Sequence, residues 1–318
     1  MRQTWRNVSK QLDAVTEKKI KLLVIGGPTG SGKSDLAVRL AEEIGGEIVN
    51  ADSMQVYRGL DIGTAKPPPE DLARVAHHLL DIVSPDQEFT ASDFRREATA
   101  AIADIHGRGR KAIVVGGTGL YIRALLDGLV DSPTGDPELR RRFDGVPGEE
   151  LLRCLALVDP ETAQRLHQND RVRIVRALEV YTQTGRPISA FRSEHAFSGD
   201  YYDTLKMAIR VERQELYRRI ELRVEKMLQD GLVDEVRSLM ERGYRRELKS
   251  MRSIGYKEIA AYLAGETTLD EAVALIKRDT RRYAKRQMTW FGRENEIYWL
   301  EYPGGFANIL GHVIEFFG

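Results

Sequence analysis

The stretch "GGPTGSGKSD", Gly26 to Asp35, follows the apolar run "KLLVI" and leads into "LAVRLAEEIG". Gly27, Gly32, Lys33 and Ser34 satisfy G-x-x-x-x-G-K-[ST], with a strand pattern before the motif and a helix pattern after it. In such a loop successive backbone N–H groups wrap a diphosphate at a helix N-terminus, the lysine adds a positive charge, and the hydroxyl ligates Mg²⁺. Gly27, Pro28, Thr29, Gly30, Ser31, Gly32, Lys33 and Ser34 are therefore the candidate diphosphate or nucleotide cradle, with Ser34 as the Mg²⁺ ligand. A loop of this kind must end a buried parallel strand, which restricts the chain to an α/β fold.

The next hundred residues keep to that restriction. "IKLLVIG", "GEIVNAD" and "KAIVVGG" read as buried strands separated by helix patterns. "SDLAVRLAEEIG" carries Leu36, Leu40 and Ile44 at four-residue spacing and stops at Gly45. "ASDFRREATAAIADIHGRG" is a second helix, with Ser92 as its expected N-cap. The expected fold is a P-loop NTPase-like parallel sheet core flanked by helices.

From about residue 130 the pattern changes. "DSPTGDPELRRRF" opens with proline and glycine, and helical segments follow without a strand of the "AIVV" type, so a helical insertion is expected. "DTLKMAIRV" reads as a returning strand, and the rest is largely helical. The boundaries drawn on this basis are an N-terminal extension 1–20, a first core part 21–132, an insertion 133–198, and a completing part 199–318. The extension reads as a weak helix around Leu12 and Val15.

One C-terminal helix, from about Asp270 to Phe291, has two unlike faces. Ile276, Thr280, Tyr283, Gln287 and Trp290 share one, while Lys277, Arg278, Arg281, Arg282, Lys285 and Arg286 fill the other. Like charges at i and i+4 repel by about 0.2 to 0.5 kcal/mol per pair. A polyanion, or acids from other segments, would relieve that repulsion.

Composition narrows the partners. Lysine plus arginine number 48 and aspartate plus glutamate 48, so the whole molecule is no nonspecific polyanion binder, and any such contact must be local. Basic residues do crowd locally, in "ELRRRF", "DRVRIVR", "ERGYRRELKSMRS" and "KRDTRRYAKRQ". No apolar run approaches the roughly 18 residues of a membrane helix, and the polar start lacks a signal-peptide centre. A cytoplasmic monomer with no membrane contact is expected. The single cysteine, Cys154, has no partner for a disulfide or a paired-cysteine metal site, and reads as a small residue on a helix face.

The chemistry turns on where the acids stand. P-loop kinases and ATPases place a carboxylate at the end of a second core strand to hold the Mg²⁺ water shell. Here "KAIVV" ends in "GGTGLY", with no acid before Asp127, whereas "EIVNAD" ends in Asp52. Asp52 is either an N-cap for the turn "SMQVY" or a base facing the loop, since ligands of open α/β sheets sit at the carboxyl ends of the strands. The N-K-x-D signal of regulatory GTPases is absent.

Six segments, "GPTGSGKS", "NADSMQVYRGLDIGTAKP", "HHLLDIVSPDQEFTASDF", "VVGGTGLYIRALLDGL", "NDRVRIVRALEVYTQTGRP" and "SMRSIGYKEI", together resemble the tRNA dimethylallyltransferases, also called tRNA isopentenyltransferases. The resemblance implies that the loop holds dimethylallyl diphosphate in place of ATP. It further implies that the prenyl group passes to the exocyclic amine of adenosine at position 37 of tRNA, and that the insertion grips the anticodon stem-loop. It assigns Asp52 as general base, and Lys33 and Arg223 to the diphosphate. It places Asp52, Ser53, Met54, Gln55 and Thr118 around the flipped base, with Thr118 counted among the catalytic residues. Arg140 and the segment Val172, Arg173, Ile174, Val175 and Arg176 are implied to touch tRNA. Departures are small: Gly30 stands where the family commonly has alanine and is expected to loosen the loop, and Ser34 replaces a threonine while keeping the hydroxyl. The competing readings are a small-molecule P-loop kinase, against which the missing acid argues, and a prenyltransferase for free adenine nucleotides, which needs no basic segments.

Overall fold

The computed structural model of the chain describes residues 19–130, 132–194, 201–294 and 296–318, so the helix expected around Leu12 and Val15 lies outside the described residues. The first part runs β1 (Ile20–Gly26), α1 (Lys33–Ile44), β2 (Gly46–Asn50), α2 (Pro69–Arg74), β3 (His77–His78), α3 (Ala91–Gly107), β4 (Lys111–Val115) and α4 (Gly119–Leu126). Five helices follow: α5 (Pro137–Arg142), α6 (Gly148–Val158), α7 (Pro160–Arg165), α8 (Arg171–Thr184) and α9 (Ile188–Glu194). The chain then returns through β5 (Tyr202–Ile209), α10 (Arg213–Gln229), α11 (Leu232–Glu241), α12 (Tyr256–Leu263), α13 (Leu269–Phe291), β6 (Ile297–Leu300) and α14 (Phe306–Phe317). Packing divides it after Leu126 and again at Asp200, giving a sheet-containing unit and a helical unit, Asp127–Gly199.

The sheet has the order β3-β2-β4-β1-β5-β6 with every pair parallel. Strand β1 lies near its middle, so side chains on both faces are covered, and this is why "LLVI" is apolar at every position. Leu22 and Val24 enter the core on one face, with Phe94, Ile102, Tyr256 and Ile276. Leu23 and Ile25 enter the other, with Leu36, Leu40, Ile309 and Val313. Truncating one such fully buried leucine to alanine costs about 2 to 5 kcal/mol.

One expectation is corrected. Helix α3 is capped by Thr90 and not by Ser92: the Thr90 hydroxyl accepts from the Asp93 N–H while the Asp93 carboxylate accepts from the Thr90 N–H. This reciprocal pair satisfies two otherwise open donors, which a lone Ser92 cap does not. The C-terminal part also contains a strand, β6, whose four residues are too few to show a period. Cys154 lies exposed on α6.

The helical unit has its own core, in which Leu151, Leu155, Ile174, Ala177 and Val180 meet. Its buried acid, Glu179, accepts from the Arg140 guanidinium at 3.1 Å and the Arg176 guanidinium at 2.7 Å. The Asp136 N–H donates to the same carboxylate. A buried charge needs this degree of pairing.

Candidate active site

The glycine loop joins β1 to α1 below the C-terminal ends of the sheet. Gly30 takes φ +81°, a left-handed conformation that side chains rarely adopt, and Leu216 and Ile220 of α10 lie 3.6 and 3.5 Å from where its Cβ would stand. Glycine therefore suits this left-handed turn beside α10. The first intrahelical bond of α1 runs from the Leu36 N–H to the Gly32 carbonyl at 3.1 Å. The N–H groups of Lys33 and Ser34 thus remain open toward an anion, where the helix dipole adds to them. Ser31, by contrast, is fully buried, and its hydroxyl has no hydrogen-bond partner.

A cavity of about 450 Å³ opens above this loop, floored by Thr29, Lys33 and Ser34 and walled by Asp52, Arg223 and Tyr283. That volume suits a small organic ligand. Lys33 is half-buried as a residue, but its ammonium is enclosed by protein. Burial first, and the nearby Arg223 charge second, pull it down to about 8, with Asp52 opposing. Burial likewise lowers Arg223, again with Asp52 opposing. Two enclosed cations share one carboxylate, so the floor carries uncompensated positive charge that a bound anion would balance.

Asp52 follows the end of β2, and both of its alternative readings have a structural counterpart. Its Oδ1 accepts from the Met54 N–H at 2.8 Å and the Gln55 N–H at 3.4 Å, which makes it the cap of its own turn. The same side chain lines the cavity opposite Lys33 and Arg223. The cap fixes the carboxylate's position. Thr118, at the end of β4, stands behind this wall: its hydroxyl oxygen accepts from the Ser53 N–H at 3.0 Å. It also shares a hydrogen bond with the Tyr283 phenol, which burial raises above its usual range and so keeps neutral.

The reading from sequence missed Gln287. Its Oε1 accepts from the Thr29 N–H at 2.9 Å and its Nε2 donates to the Gly117 carbonyl at 2.9 Å, tying the phosphate loop to the end of β4. This explains why "KAIVV" has no acid after it. A Cβ on Gly117 would collide with the Gln287 amide, and one on Gly116 with the Ala51 carbonyl. The space beside Gly117 is filled by a neutral amide. The signal for Gln287 lies in the polar residues Thr280, Tyr283 and Gln287 on the otherwise apolar face of α13.

The opposite face of α13 is relieved partly by acids: Lys277 pairs with Glu225 at 2.7 Å and Arg281 with Glu221 at 2.7 Å, both acids on α10. Arg286 lies exposed over the Tyr283 ring and lines the cavity.

Within the helical unit the implied tRNA residues have unequal settings. Val172 is 83% exposed. Arg173 is exposed and pairs with Asp170 at 3.2 Å. Ile174 lies wholly in the core, so its side chain packs and offers no surface. Arg176 and the exposed Arg140 are bound to Glu179, and Arg171 donates to the Phe143 and Val146 carbonyls.

A loop of this kind beneath the carboxyl ends of a parallel sheet, under a cationic cavity, defines a P-loop-type enzyme that binds a phosphorylated substrate. The particular family follows from comparison with known proteins. The family model described as IPP transferase matches residues 55–294, and the chain belongs to that family. It is 83% identical over 300 residues to tRNA dimethylallyltransferase 1 of Citrifermentans bemidjiense, covering 94% of this chain and 98% of that relative. It is 70% identical over 305 residues to tRNA dimethylallyltransferase 2 of Geotalea uraniireducens, covering 95% and 98%. Among solved structures it resembles the full-length tRNA isopentenylpyrophosphate transferase of Bacillus halodurans, at 38% identity and TM-score 0.71, over 94% and 97% of the two chains. A eukaryotic dimethylallyltransferase acting on tRNA superposes with TM-score 0.81 at 30% identity, over 94% of this chain and 79% of that one.

Proposed function

We propose that this protein transfers the dimethylallyl group of dimethylallyl diphosphate to the exocyclic amine of adenosine at position 37 of tRNA, next to the anticodon, and releases diphosphate. The observation that carries this reading is the placement of Asp52 against the enclosed pair Lys33 and Arg223 in one cavity above the glycine loop. Family membership and the names of the relatives support the same reaction.

The adenine amine is a poor nucleophile because its lone pair is delocalised into the ring. As that lone pair attacks the allylic carbon, the C–O bond to the diphosphate breaks and the bonding electrons leave with the diphosphate oxygen. Asp52 accepts the proton that the amine loses. Lys33, Arg223 and the open N–H groups of the loop stabilise the charge growing on the leaving group. Thr118 acts behind Asp52 by holding the backbone of its turn, and is itself hydrogen-bonded to Tyr283 on the cavity wall. An extruded base is most accessible in a single-stranded loop. Ser53, Met54 and Gln55 line the same cavity and are proposed to receive it. In the helical unit, Val172 and Arg173 present the exposed surface proposed to meet tRNA, as does Arg140.

The Ser34 hydroxyl, which lines the cavity, would with diphosphate oxygens and water offer the all-oxygen donors that Mg²⁺ prefers. Among the described residues no cluster of three His, Cys, Asp or Glu side chains forms a metal site independent of substrate. When bound, Mg²⁺ supplies further neutralisation of the departing diphosphate. A monomer acting in the cytoplasm goes with this reading. Among the described residues no helix is long and apolar enough to cross a membrane.

The test is label transfer. Purified protein with Mg²⁺ and labelled dimethylallyl diphosphate should modify an anticodon stem-loop RNA bearing adenosine at position 37, and should leave the same RNA with guanosine there unlabelled. ATP hydrolysis with no label in RNA would overturn the reading in favour of a kinase.

A further inference from the structure

The cavity wall beside Asp52 is completed by Gly63 and Thr64, in a loop whose conformation is costly for its sequence. Ala65 of this loop takes φ +49°, and Asp81, which pairs with Lys66, takes φ +54°. A left-handed non-glycine residue persists only where its surroundings over-determine it.

What holds it is specific. One Glu235 carboxylate, in the first turn of α11, accepts from the N–H groups of Asp61 at 3.0 Å, Ile62 at 2.8 Å and Gly63 at 3.2 Å. The Tyr256 hydroxyl donates to the same carboxylate at 2.5 Å, and its ring fills the space where a Gly63 side chain would stand. Tyr256 directly follows the turn Arg252–Gly255, which also lines the cavity. At the other end of the loop, Lys66 donates to the Tyr57 carbonyl at 2.6 Å and pairs with Asp61 and Asp81. Between these anchors the Gln55 amide donates to the Thr64 and Ala65 carbonyls, both at 3.0 Å, and the Gln55 N–H is itself held by Asp52. The Glu235 carboxylate, which does not itself line the cavity, thus holds Gly63 of the wall directly, and is linked to 252–255 only through Tyr256 and to 52–55 only through the Gln55 bonds to Thr64 and Ala65.

We propose that Glu235 is a positioning residue for the acceptor base: it fixes the wall that holds the target adenine facing Asp52. This rests on the reading of the Asp52 turn as the acceptor side of the cavity. The phosphate loop is tied elsewhere, from the Thr29 N–H to Gln287, so the donor side is held apart from Glu235.

The experiment is steady-state kinetics of Glu235→Gln and Tyr256→Phe with dimethylallyl diphosphate and an anticodon stem-loop RNA, beside Asp52→Asn and the unaltered protein, with active enzyme counted by titration. Glu235→Gln keeps the size of the side chain but turns an amide N–H₂ toward backbone donors. The KM for RNA is expected to rise, and kcat/KM for RNA to fall by about tenfold or more, while the KM for dimethylallyl diphosphate stays within about twofold. Tyr256→Phe removes one donor and should move the same parameter by a smaller factor. A fall in rate that matches the loss of active enzyme, with both KM values unchanged, would show that Glu235 only supports the fold. Equal rises in both KM values overturn the proposal as well. Should Glu235→Gln fail to fold, Tyr256→Phe decides, and an unchanged KM for RNA there refutes the idea. Full activity in Asp52→Asn would remove the underlying reading. Loss of rate in Asp52→Asn, with RNA kinetics untouched in Glu235→Gln, removes this proposal alone.

Discussion

Binding of the allylic diphosphate should draw a proton onto the enzyme at alkaline pH, and Lys33 is the group that takes it. In the free protein, burial and Arg223 hold its ammonium at about 8, against 10.5 for an unperturbed lysine. That difference corresponds to roughly 3 kcal/mol of unfavourable charging in the folded state. Between pH 8 and 10.5 the unfolded chain binds more protons than the folded one, so this residue's contribution makes stability rise with pH across that window. The cost is present in full below pH 8. A diphosphate placed on the ammonium should lift its pKa back toward the ordinary value. At pH 9 the free enzyme then holds about one-tenth of a proton on Lys33 and the complex nearly a whole one, an uptake of roughly nine-tenths. At pH 7 the uptake from Lys33 should be only about one-tenth. The terminal phosphate of the ligand ionises near about pH 6 and contributes little at pH 9. Calorimetric titration with dimethylallyl diphosphate, repeated at each pH in buffers of different ionisation enthalpy, reads the proton count directly. Lys33→Met should lose the pH 9 uptake. Equal, small uptake at pH 7 and pH 9 in the unaltered protein would refute the reasoning, because Lys33 would then be ordinarily basic before the ligand arrives.

Two further outcomes follow from the same geometry. Gly117→Ala drives a methyl into the Gln287 amide and strands the Thr29 N–H and the Gly117 carbonyl; it should cost about 2 to 4 kcal/mol in urea unfolding and raise the KM for the prenyl donor. A stability within about 0.5 kcal/mol of the unaltered protein would mean that α13 does not brace the loop. Asp52→Ala should lower the single-turnover rate by about 100-fold or more while RNA affinity changes little; an unchanged rate would reduce Asp52 to a cap.

Some of this is readable residue by residue. The phosphate loop, the helix after it and the buried strands are legible because each is written in local spacing, and local backbone hydrogen bonding enforces what the spacing proposes. The absence of an acid after "KAIVV" is legible too, but its cause is not. Gly116 and Gly117 are small because Ala51 and Gln287 occupy the space, and Gln287 lies 170 residues beyond Gly117. The cap of α3 falls two residues before the expected one, since Ser92 and Thr90 are both good cap residues and only the Asp93 partnership selects between them. Strand β6 escapes because four residues beside a strand edge carry no period.

By itself, the amino-acid sequence determined a glycine loop at a helix N-terminus under a parallel sheet, with an acid just after β2. Tertiary structure decided how Arg223, which the family resemblance already implies, comes to the site, and which other distant side chains finish it. Arg223 from α10 and Tyr283 and Gln287 from α13 reach the loop because α10 and α13 pack on each other through Leu216, Ile220 and Ala284 beside the strand ends. Glu235 reaches the other wall from α11. None of these residues has a local spacing that names its partner. Their roles arise from burial of apolar faces far apart in the chain, which sets the helices down first and brings the polar side chains on those helices to the cavity as a consequence.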